Sequence, residues 1–351
     1  MPPPCFNHFP RGLNHEGLHV GLGAIGGLLA AWIARLPPGR VQVSALVRGE
    51  TLAAVRERGL VLDDATGTHH LAITVADSAA ALGPQDLVIV AVKAPALPAV
   101  ADAVAALSHA DTTVLSAMNG VPWWFFDGLP AEPGPGMPVP TRGWVLDSVD
   151  PGGRLRERMP PARTVGGVVH MAASTLSPGH VKHAMGRRLV IGDATGGMGL
   201  RTATVAALLA EAGVEAESSA CIQGEVWFKL WGNLTMNPVS ALTGATLDRI
   251  LADELVRPYC SAVMAEAQAL GAAIGLPIGQ TPEQRHAVTA KLGAVRTSML
   301  QDLQAGRALE IDALVGAVRE IGVRLGRPTP MLDALMGLVR LMARERGLYP
   351  P

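Results

Sequence analysis

The sequence has few cysteines, few aromatic residues and little net charge. Its three cysteines, Cys5, Cys221 and Cys260, are far apart and form no C-x-x-C pair. They therefore argue against a disulfide framework or a zinc site, and we expect reduced thiols in a cytoplasmic protein. The formal net charge is −1 and the basic residues are scattered, which argues against a nucleic acid or an anionic membrane as partner.

Long apolar runs are missing as well. The most apolar stretch, residues 86–92, is followed by Lys93 and is far shorter than the roughly 20 residues of a membrane-spanning helix. We interpret it as a buried strand of a parallel sheet and expect no transmembrane segment. Residues 1–17 lack the apolar run of a signal peptide, and we predict a flexible N-terminal extension there.

A glycine-rich motif is present near the start of the chain. It follows a short apolar strand, opens an apolar helix and reads Gly21, Leu22, Gly23, Ala24, Ile25 and Gly26. In a strand-turn-helix unit these glycines permit the turn, the approach of a pyrophosphate and close packing of helix on strand. The motif predicts a dinucleotide site, although an ordinary tight turn would look similar.

The next strand, Val41 to Val47, ends at Arg48. Sites specific for NAD usually have an acid at this point, which binds the ribose 2′-hydroxyl, whereas a guanidinium suits a 2′-phosphate. Arg48 therefore favours NADP(H). The alternative is that Arg48 is a solvated loop residue and that Glu50 binds the ribose.

Strands and helices alternate up to about residue 120, which indicates a parallel sheet covered on both faces. We predict strands at residues 71–75, 87–92 and 113–117. Ligands in such sheets bind beyond the carboxyl ends of the strands. Lys93 and Asn119-Gly120 each follow a strand and are candidates for ligand binding at that edge. The alternative is that Lys93 is only a surface residue and Asn119-Gly120 only a turn.

Four consecutive aromatic residues, Trp123 to Phe126, come directly after this edge. They fit either a packed structural cluster or a hydrophobic wall of the substrate cleft. Residues 130–140 are rich in proline and glycine and predict a surface loop.

Strand patterns at residues 164–193 and a helix from about residue 201 complete the first part of the chain. Helical periodicity dominates after about residue 219. The fold class is therefore an α/β Rossmann-like N-terminal domain with a mostly parallel sheet, residues 18–218, followed by an all-α C-terminal domain, residues 219–351.

The first helix of the second domain carries a polar stripe. Lys229, Asn233 and Asn237 recur every four residues on one face, among apolar neighbours. Asparagine is a poor helix former, so a functional stripe is favoured over a Glu225–Lys229 surface pair with structural amides. Pro238 disfavours helical geometry at Asn237 and predicts a bend in the chain there. Further along, Glu310 lies among apolar residues.

These motifs resemble the ketopantoate reductase (2-dehydropantoate 2-reductase) family. The resemblance runs from Gly21 to about Pro330, and its most specific parts are Lys229-Leu230 with Asn233 and Asn237-Pro238, and the block from Ser298 to Asp302 that leads to Glu310. It implies NADPH-dependent reduction of 2-dehydropantoate to (R)-pantoate, a step toward pantothenate and coenzyme A. It also implies a homodimer.

The resemblance implies a role for each matching residue. Lys229 is the proton donor, Asn233, Asn237 and Ser298 bind the substrate, and Lys93, Asn119 and Glu310 contact cofactor or substrate. An ammonium group can stabilise and protonate the oxygen of a ketone that receives a hydride. Neutral amides and a hydroxyl can orient an α-keto carboxylate without competing for that proton.

Two alternatives remain at this stage. Family members commonly have a smaller, glycine-containing continuation where this chain has Val121 to Trp124, so the protein could reduce a different, bulkier 2-keto acid. It could also bind NADPH without turnover, although a pure binding protein has no need of a proton donor.

Overall fold

The computed structural model describes residues 15–132 and 138–350. Among these residues one sheet contains the strands β1 to β10, whose bounds are His15–Val20, Val41–Leu46, Leu60–Asp64, Gly67–Leu71, Thr74–Ala76, Gln85–Val90, Ser108–Ala117, Thr164–Ser177, His180–Asp193 and Glu215–Ser218.

The α-helices of the described residues are numbered α1 to α12 in chain order. Their bounds are Ala24–Ala34, Gly49–Arg58, Leu97–Ala106, Arg154–Arg158, Leu200–Glu211, Ile222–Thr243, Leu247–Ala252, Val256–Ala273, Pro282–Ala290, Ser298–Gln304, Ala317–Arg324 and Pro330–Glu345. A π-helical turn, Asp312–Gly316, runs directly into α11.

The strand order is β4-β3-β9-β8-β7-β6-β1-β2-β5, with β10 beside β9. β5, β2, β1, β6, β7 and β8 are parallel to one another, whereas β9 is antiparallel to β8. After β10 the described chain is helical. The mostly parallel sheet followed by a helical region confirms the predicted fold class.

Two hydrophobic clusters cover the sheet. α1 and α5 pack on one face, with Leu28, Leu29 and Leu209 almost fully buried. The other face joins α3 and the helices after residue 221 in a single cluster. α6 therefore lies against the sheet and belongs to the core of both regions.

The aromatic run is part of that core. Trp123, Trp124, Phe125 and Phe126 are each at most 3% exposed. The Trp123 indole donates a hydrogen bond to the Met159 carbonyl, 2.9 Å away. The Phe125 ring lies 5.9 Å from that of Trp227 on α6. The structural interpretation of this run is confirmed, and its reading as a wall of the substrate cleft is wrong.

Several element predictions need correction. Residues 60–71 form the antiparallel hairpin β3–β4, and the predicted strand at 71–75 is Thr74–Ala76. The hairpin was missed because β4 is an edge strand with mostly polar, exposed residues. α9 was missed because its residues are mostly polar.

The expectation that Asn237 departs from helical geometry is also wrong. α6 continues through Pro238 to Thr243 and ends at Gly244, which has a left-handed conformation. A proline inside a helix lacks one N–H donor, and the packing of α6 on both sides compensates for that loss.

Only part of the predicted domain layout can be compared with the described residues. β1 begins at His15, before the predicted domain start at residue 18. The remainder of the predicted extension, residues 1–14, and the centre of the predicted proline-rich loop, residues 133–137, lie outside the described residues. The boundary near residue 219 stays a prediction.

The turn after β7 is docked on the helical region. Gly120 has a φ of +80°, and a Cβ there would lie 2.6 Å from the Ala313 carbonyl oxygen. The Val121 N–H donates a hydrogen bond to the same oxygen, at 2.8 Å. The π-helical turn is therefore fixed to the end of the central strand by backbone contacts.

This contact gives a testable expectation for Gly120→Ala. The substitution should lower the free energy of unfolding in urea by more than the about 1–2 kcal/mol of left-handed strain alone, because the new Cβ also meets backbone. Gly39→Ala is the control, since Gly39 has a φ of +81° and open space around it. Equal losses for the two variants would contradict this account.

Candidate active site

The glycine motif occupies the carboxyl edge of β1. Gly21 has a φ of +84°, and a Cβ on Gly26 would lie 2.2 Å from the Gly21 carbonyl oxygen. A Cβ on Gly23 would meet no atom within 4 Å. Two glycines are thus required by turn and packing, whereas Gly23 leaves an open approach to the backbone.

That open approach leads to the N-terminus of α1. Gly23 is its N-cap, and the first turn carries neither a side-chain cap nor an acidic residue. The N–H groups of Ala24 and Ile25 begin the helix. A helix N-terminus without a capping side chain is a suitable binding site for an anionic group such as a pyrophosphate. Leu22 is buried beside this turn.

Arg48 stands at the end of β2, next to β1 in the sheet. It is the exposed N-cap of α2, and it forms no ion pair among the described residues. Glu50 is exposed in the first turn of the same helix. The side chain of Arg48 is therefore free to meet an anionic ligand.

Lys229 lies where α6 passes the end of β7 and the middle of β8. Its ammonium group donates to Asn119 Oδ1 at 2.8 Å and to the Val169 carbonyl at 2.6 Å. It forms no ion pair with Glu225 among the described residues, so the surface-pair reading does not hold. Since an ammonium has three N–H donors, one remains available for a ligand.

Burial lowers the pKa of Lys229 from its ordinary value to about 8, and the nearby Glu310 carboxylate partly opposes this. A buried ammonium loses solvation that its two hydrogen bonds replace only in part. The group is charged at neutral pH yet gives up a proton far more readily than an exposed lysine. These are the properties of a general acid.

Glu310 is 7% exposed and lies close to Asn119 and Lys229. Burial raises its pKa, while the Ala94 N–H, the Lys93 ammonium and the Asn119 amide favour its charged form. The Ala94 N–H donates to Glu310 Oε1 at 3.1 Å. Asn119 therefore lies between the lysine and the glutamate, and links them.

Lys93 forms an ion pair with Asp302 of α10. Asp302 is buried, and it also accepts from Arg307 Nε at 3.0 Å. The Lys93 side chain remains 42% exposed. This pair joins the loop after β6 to the helical region at the edge of the cleft.

The predicted substrate-binding residues are Asn233, Asn237 and Ser298. Asn233 is half-buried and Asn237 is 6% exposed, and neither side chain has a hydrogen-bond partner among the described residues. Ser298 is exposed at the start of α10, next to the N-cap Thr297, whose hydroxyl accepts from the Leu300 N–H. Lys229, Asn119 and Glu310 are brought together directly by the contacts above.

Sequence reasoning missed three participants. The Val169 acceptor is a backbone atom, so no sequence signal identifies it. Asp302 lies in the block quoted for the family resemblance but received no role. His170, next to Val169, has a pKa lowered to about 4 by burial and then by the Lys229 charge; a single histidine in a strand gives no such indication.

No helix within the described ranges has the length and apolarity needed to cross a bilayer.

Comparisons with known proteins agree with this architecture. Residues 18–122 match the family model "Ketopantoate reductase PanE/ApbA", and residues 221–343 match "Ketopantoate reductase PanE/ApbA C terminal". A 2-dehydropantoate 2-reductase of Mesorhizobium japonicum is 42% identical over 94% of this chain and 98% of its own length.

Two solved structures extend the comparison. A protein of Ralstonia solanacearum MolK2 assigned as a ketopantoate reductase has 52% identity and a TM-score of 0.88, over 95% of this chain and 99% of its own. The 2-dehydropantoate 2-reductase of Methylococcus capsulatus has 25% identity and a TM-score of 0.76, over 94% and 97% respectively.

The coupling between Lys229 and Glu310 can be measured without a substrate. The neutral amine reacts with acylating reagents, so the labelling rate of Lys229, followed by mass spectrometry, should rise through about pH 8. Glu310→Gln removes the charge that favours the ammonium, and the rise should move to lower pH. Glu225→Gln, on the same helix, is the control. A midpoint unchanged by Glu310→Gln would disprove the coupling.

Proposed function

Because the chain belongs to the ketopantoate reductase family and is thus an oxidoreductase acting on a CH–OH group, we propose that it reduces 2-dehydropantoate to (R)-pantoate with NADPH, a step toward pantothenate and coenzyme A. The observation that carries the proposal is the Lys229 ammonium. It is tied to Asn119 and Val169 and retains one free donor.

Lys229 acts as the proton donor in this proposal. The reduced carbonyl carbon leaves negative charge on its oxygen, and the third N–H of Lys229 stabilises that charge and then transfers the proton. The two hydrogen bonds fix the ammonium before the substrate arrives, so little reorganisation is needed during the reaction. A pKa of about 8 keeps the donor protonated at neutral pH.

Glu310 and Asn119 assist Lys229. The Glu310 carboxylate favours the charged form of the lysine, and it is held by the Ala94 N–H. Asn119 accepts from Lys229 and fixes the direction of its remaining donor. We assign catalytic roles to Lys229 and Glu310 and a binding role to Asn119.

Asn233, Asn237 and Ser298 are proposed to bind the substrate. Asn233 follows Lys229 by one helical turn, and Asn237 follows by two, so their amides continue the same face of α6. Their hydrogen-bonding capacity is unused among the described residues. Neutral donors can orient the carboxylate and hydroxyl groups of a keto acid without taking the proton from Lys229.

The residues of the glycine motif fit a nicotinamide dinucleotide. The open face at Gly23 and the uncapped start of α1 suit its pyrophosphate, and the exposed Arg48 suits a 2′-phosphate. When bound, this cofactor supplies the hydride. Lys93 and Glu310 complete the proposed cofactor contacts at the strand ends. In this proposal residues 18–218 bind the cofactor and residues 219–351 bind the substrate and form a homodimer.

The alternative of a bulkier keto acid loses its support. It depended on Trp123 and Trp124 lining the cleft, and both are buried in the core. A binding protein without turnover is disfavoured too, since burying an ammonium is costly and serves no purpose in nucleotide binding alone.

The first test is NADPH oxidation with 2-dehydropantoate and a panel of other 2-keto acids, with NADH as a comparison. We expect 2-dehydropantoate to be the preferred substrate and Lys229→Ala to lower kcat by about 10²–10⁴-fold, the range for loss of a general acid. Lys291→Ala, at an exposed lysine after α9, should retain activity. Full activity of Lys229→Ala would refute the mechanism. Preference for another keto acid would keep the mechanism and change the assigned substrate.

The cofactor preference has its own test. Arg48→Ala should weaken NADPH binding by roughly 10- to 100-fold, since a hydrogen bond to a charged group contributes about 1.5–3 kcal/mol, and should leave NADH binding nearly unchanged. Arg56→Ala, at an exposed arginine of the same helix, controls for general charge loss. Equal weakening for both cofactors would reject this role for Arg48.

A further inference from the structure

The segment that carries Glu310 is held on several sides. Leu309, Ile311 and Leu314 are at most 2% exposed and fix it to the core. The Ala313 carbonyl accepts from the Val121 N–H and abuts Gly120, beside Asn119. One short stretch of backbone, residues 309–313, therefore positions both Glu310 and the turn that bears Asn119.

The segment after α12 contacts this stretch from the other side. The Leu309 N–H donates to the Leu348 carbonyl at 3.4 Å, and the Tyr349 hydroxyl donates to Asp312 Oδ1 at 2.6 Å. The guanidinium of Arg344 lies over the Tyr349 ring, 5.6 Å from its centre. The Tyr349 hydroxyl is thus directed at the first residue of the π-helical turn.

Asp312 depends on this hydrogen bond. Burial raises its pKa, while the Tyr349 hydroxyl, Arg340 and Arg344 favour its charged form. Gly316 leaves room for the carboxyl group, since a Cβ there would lie 3.2 Å from Asp312 Oδ1. Asp312 is half-buried, and without this donor its carboxyl group would lose the hydrogen bond that joins the turn to the segment after α12.

On the side of the turn that faces Tyr349, the residues are not densely packed. Asp312, Gly316 and Tyr349 line a cavity of about 490 Å³ together with Arg319 and Arg340. The other sides of the segment pack on the core. The hydrogen bond from Tyr349 is therefore one of the few direct contacts that hold the turn on this side. π-Helical turns also occur frequently at functional sites.

We infer that Tyr349 is a positioning residue for the reaction. Its hydroxyl fixes Asp312, and through the backbone of residues 310–313 it holds Glu310 and the Asn119 turn in the arrangement that orients Lys229. The link to catalysis rests on the proposed function, whereas the positioning itself concerns only contacts within the chain.

The chain offers a matched control for the test. Its other tyrosine, Tyr259, donates its hydroxyl to the Met331 carbonyl at 2.9 Å, also against α12. Tyr349→Phe should lower kcat by about tenfold or more, as expected when catalytic groups are slightly misplaced, with a smaller change in KM. Tyr259→Phe should leave both constants unchanged. Equal kinetics for the two variants would overturn the inference.

A double-mutant cycle shows whether Tyr349 acts through Asp312. Tyr349→Phe combined with Asp312→Ala should be no less active than Asp312→Ala alone. Asp312→Asn retains an acceptor oxygen for Tyr349 and should recover most of the activity. Additive losses, or an Asp312→Asn variant as impaired as Asp312→Ala, would count against this route.

Amide hydrogen exchange tests the positioning without any substrate. The reporting amides are Ala94, which donates to Glu310, and Val121, which donates to Ala313. Both should exchange several-fold faster in Tyr349→Phe and not in Tyr259→Phe. Faster exchange in a protein that reduces no keto acid would reject the proposed function and keep the positioning. Unchanged exchange at both amides would reject the positioning, whatever the activity.

Discussion

The structure depends on a half-buried ammonium group whose lost hydration must be replaced by hydrogen bonds. Lys229 satisfies two of its donors with an amide oxygen at the end of β7 and a carbonyl on β8. These acceptors are close because β7 and β8 are parallel neighbours, in register from Val114 and Thr164. The sheet topology therefore determines the chemistry of the lysine, and any other strand order would separate its partners.

That arrangement also requires α6 to be fixed against the sheet, which explains where the chain uses its few large aromatic residues. A Cβ on Gly166 would collide with the ring of Trp124, 2.3 Å away, so the glycine of β8 makes the space in which this ring sits. Trp124 and Phe125 then fill the region between the strands and α6. The aromatic run thereby keeps the helix that carries Lys229 in position.

The sequence predicted the parts of the structure that show a regular residue spacing or a known motif. Alternating elements gave the parallel sheet, glycine spacing gave the turn at Gly21 to Gly26, and the stripe on α6 pointed to Lys229. It could not identify the Val169 carbonyl, because a backbone acceptor has no residue type, or the β3–β4 hairpin, because an exposed edge strand lacks an apolar pattern. Pro238 misled for a related reason: its local preference is overridden by the packing of a long helix on both of its sides.

The other charged side chains near Lys229 also lie beside groups of opposite charge. Lys93 and Arg307 share the buried carboxylate of Asp302, while Glu310 accompanies Lys229 and has its pKa raised by burial. Three cationic side chains, Lys93, Lys229 and Arg307, thus lie near two acidic ones, Asp302 and Glu310. An excess of positive charge attracts an anion. Under the proposed function, the carboxylate of a keto acid supplies that negative charge, and a negative charge beside Lys229 favours its protonated form.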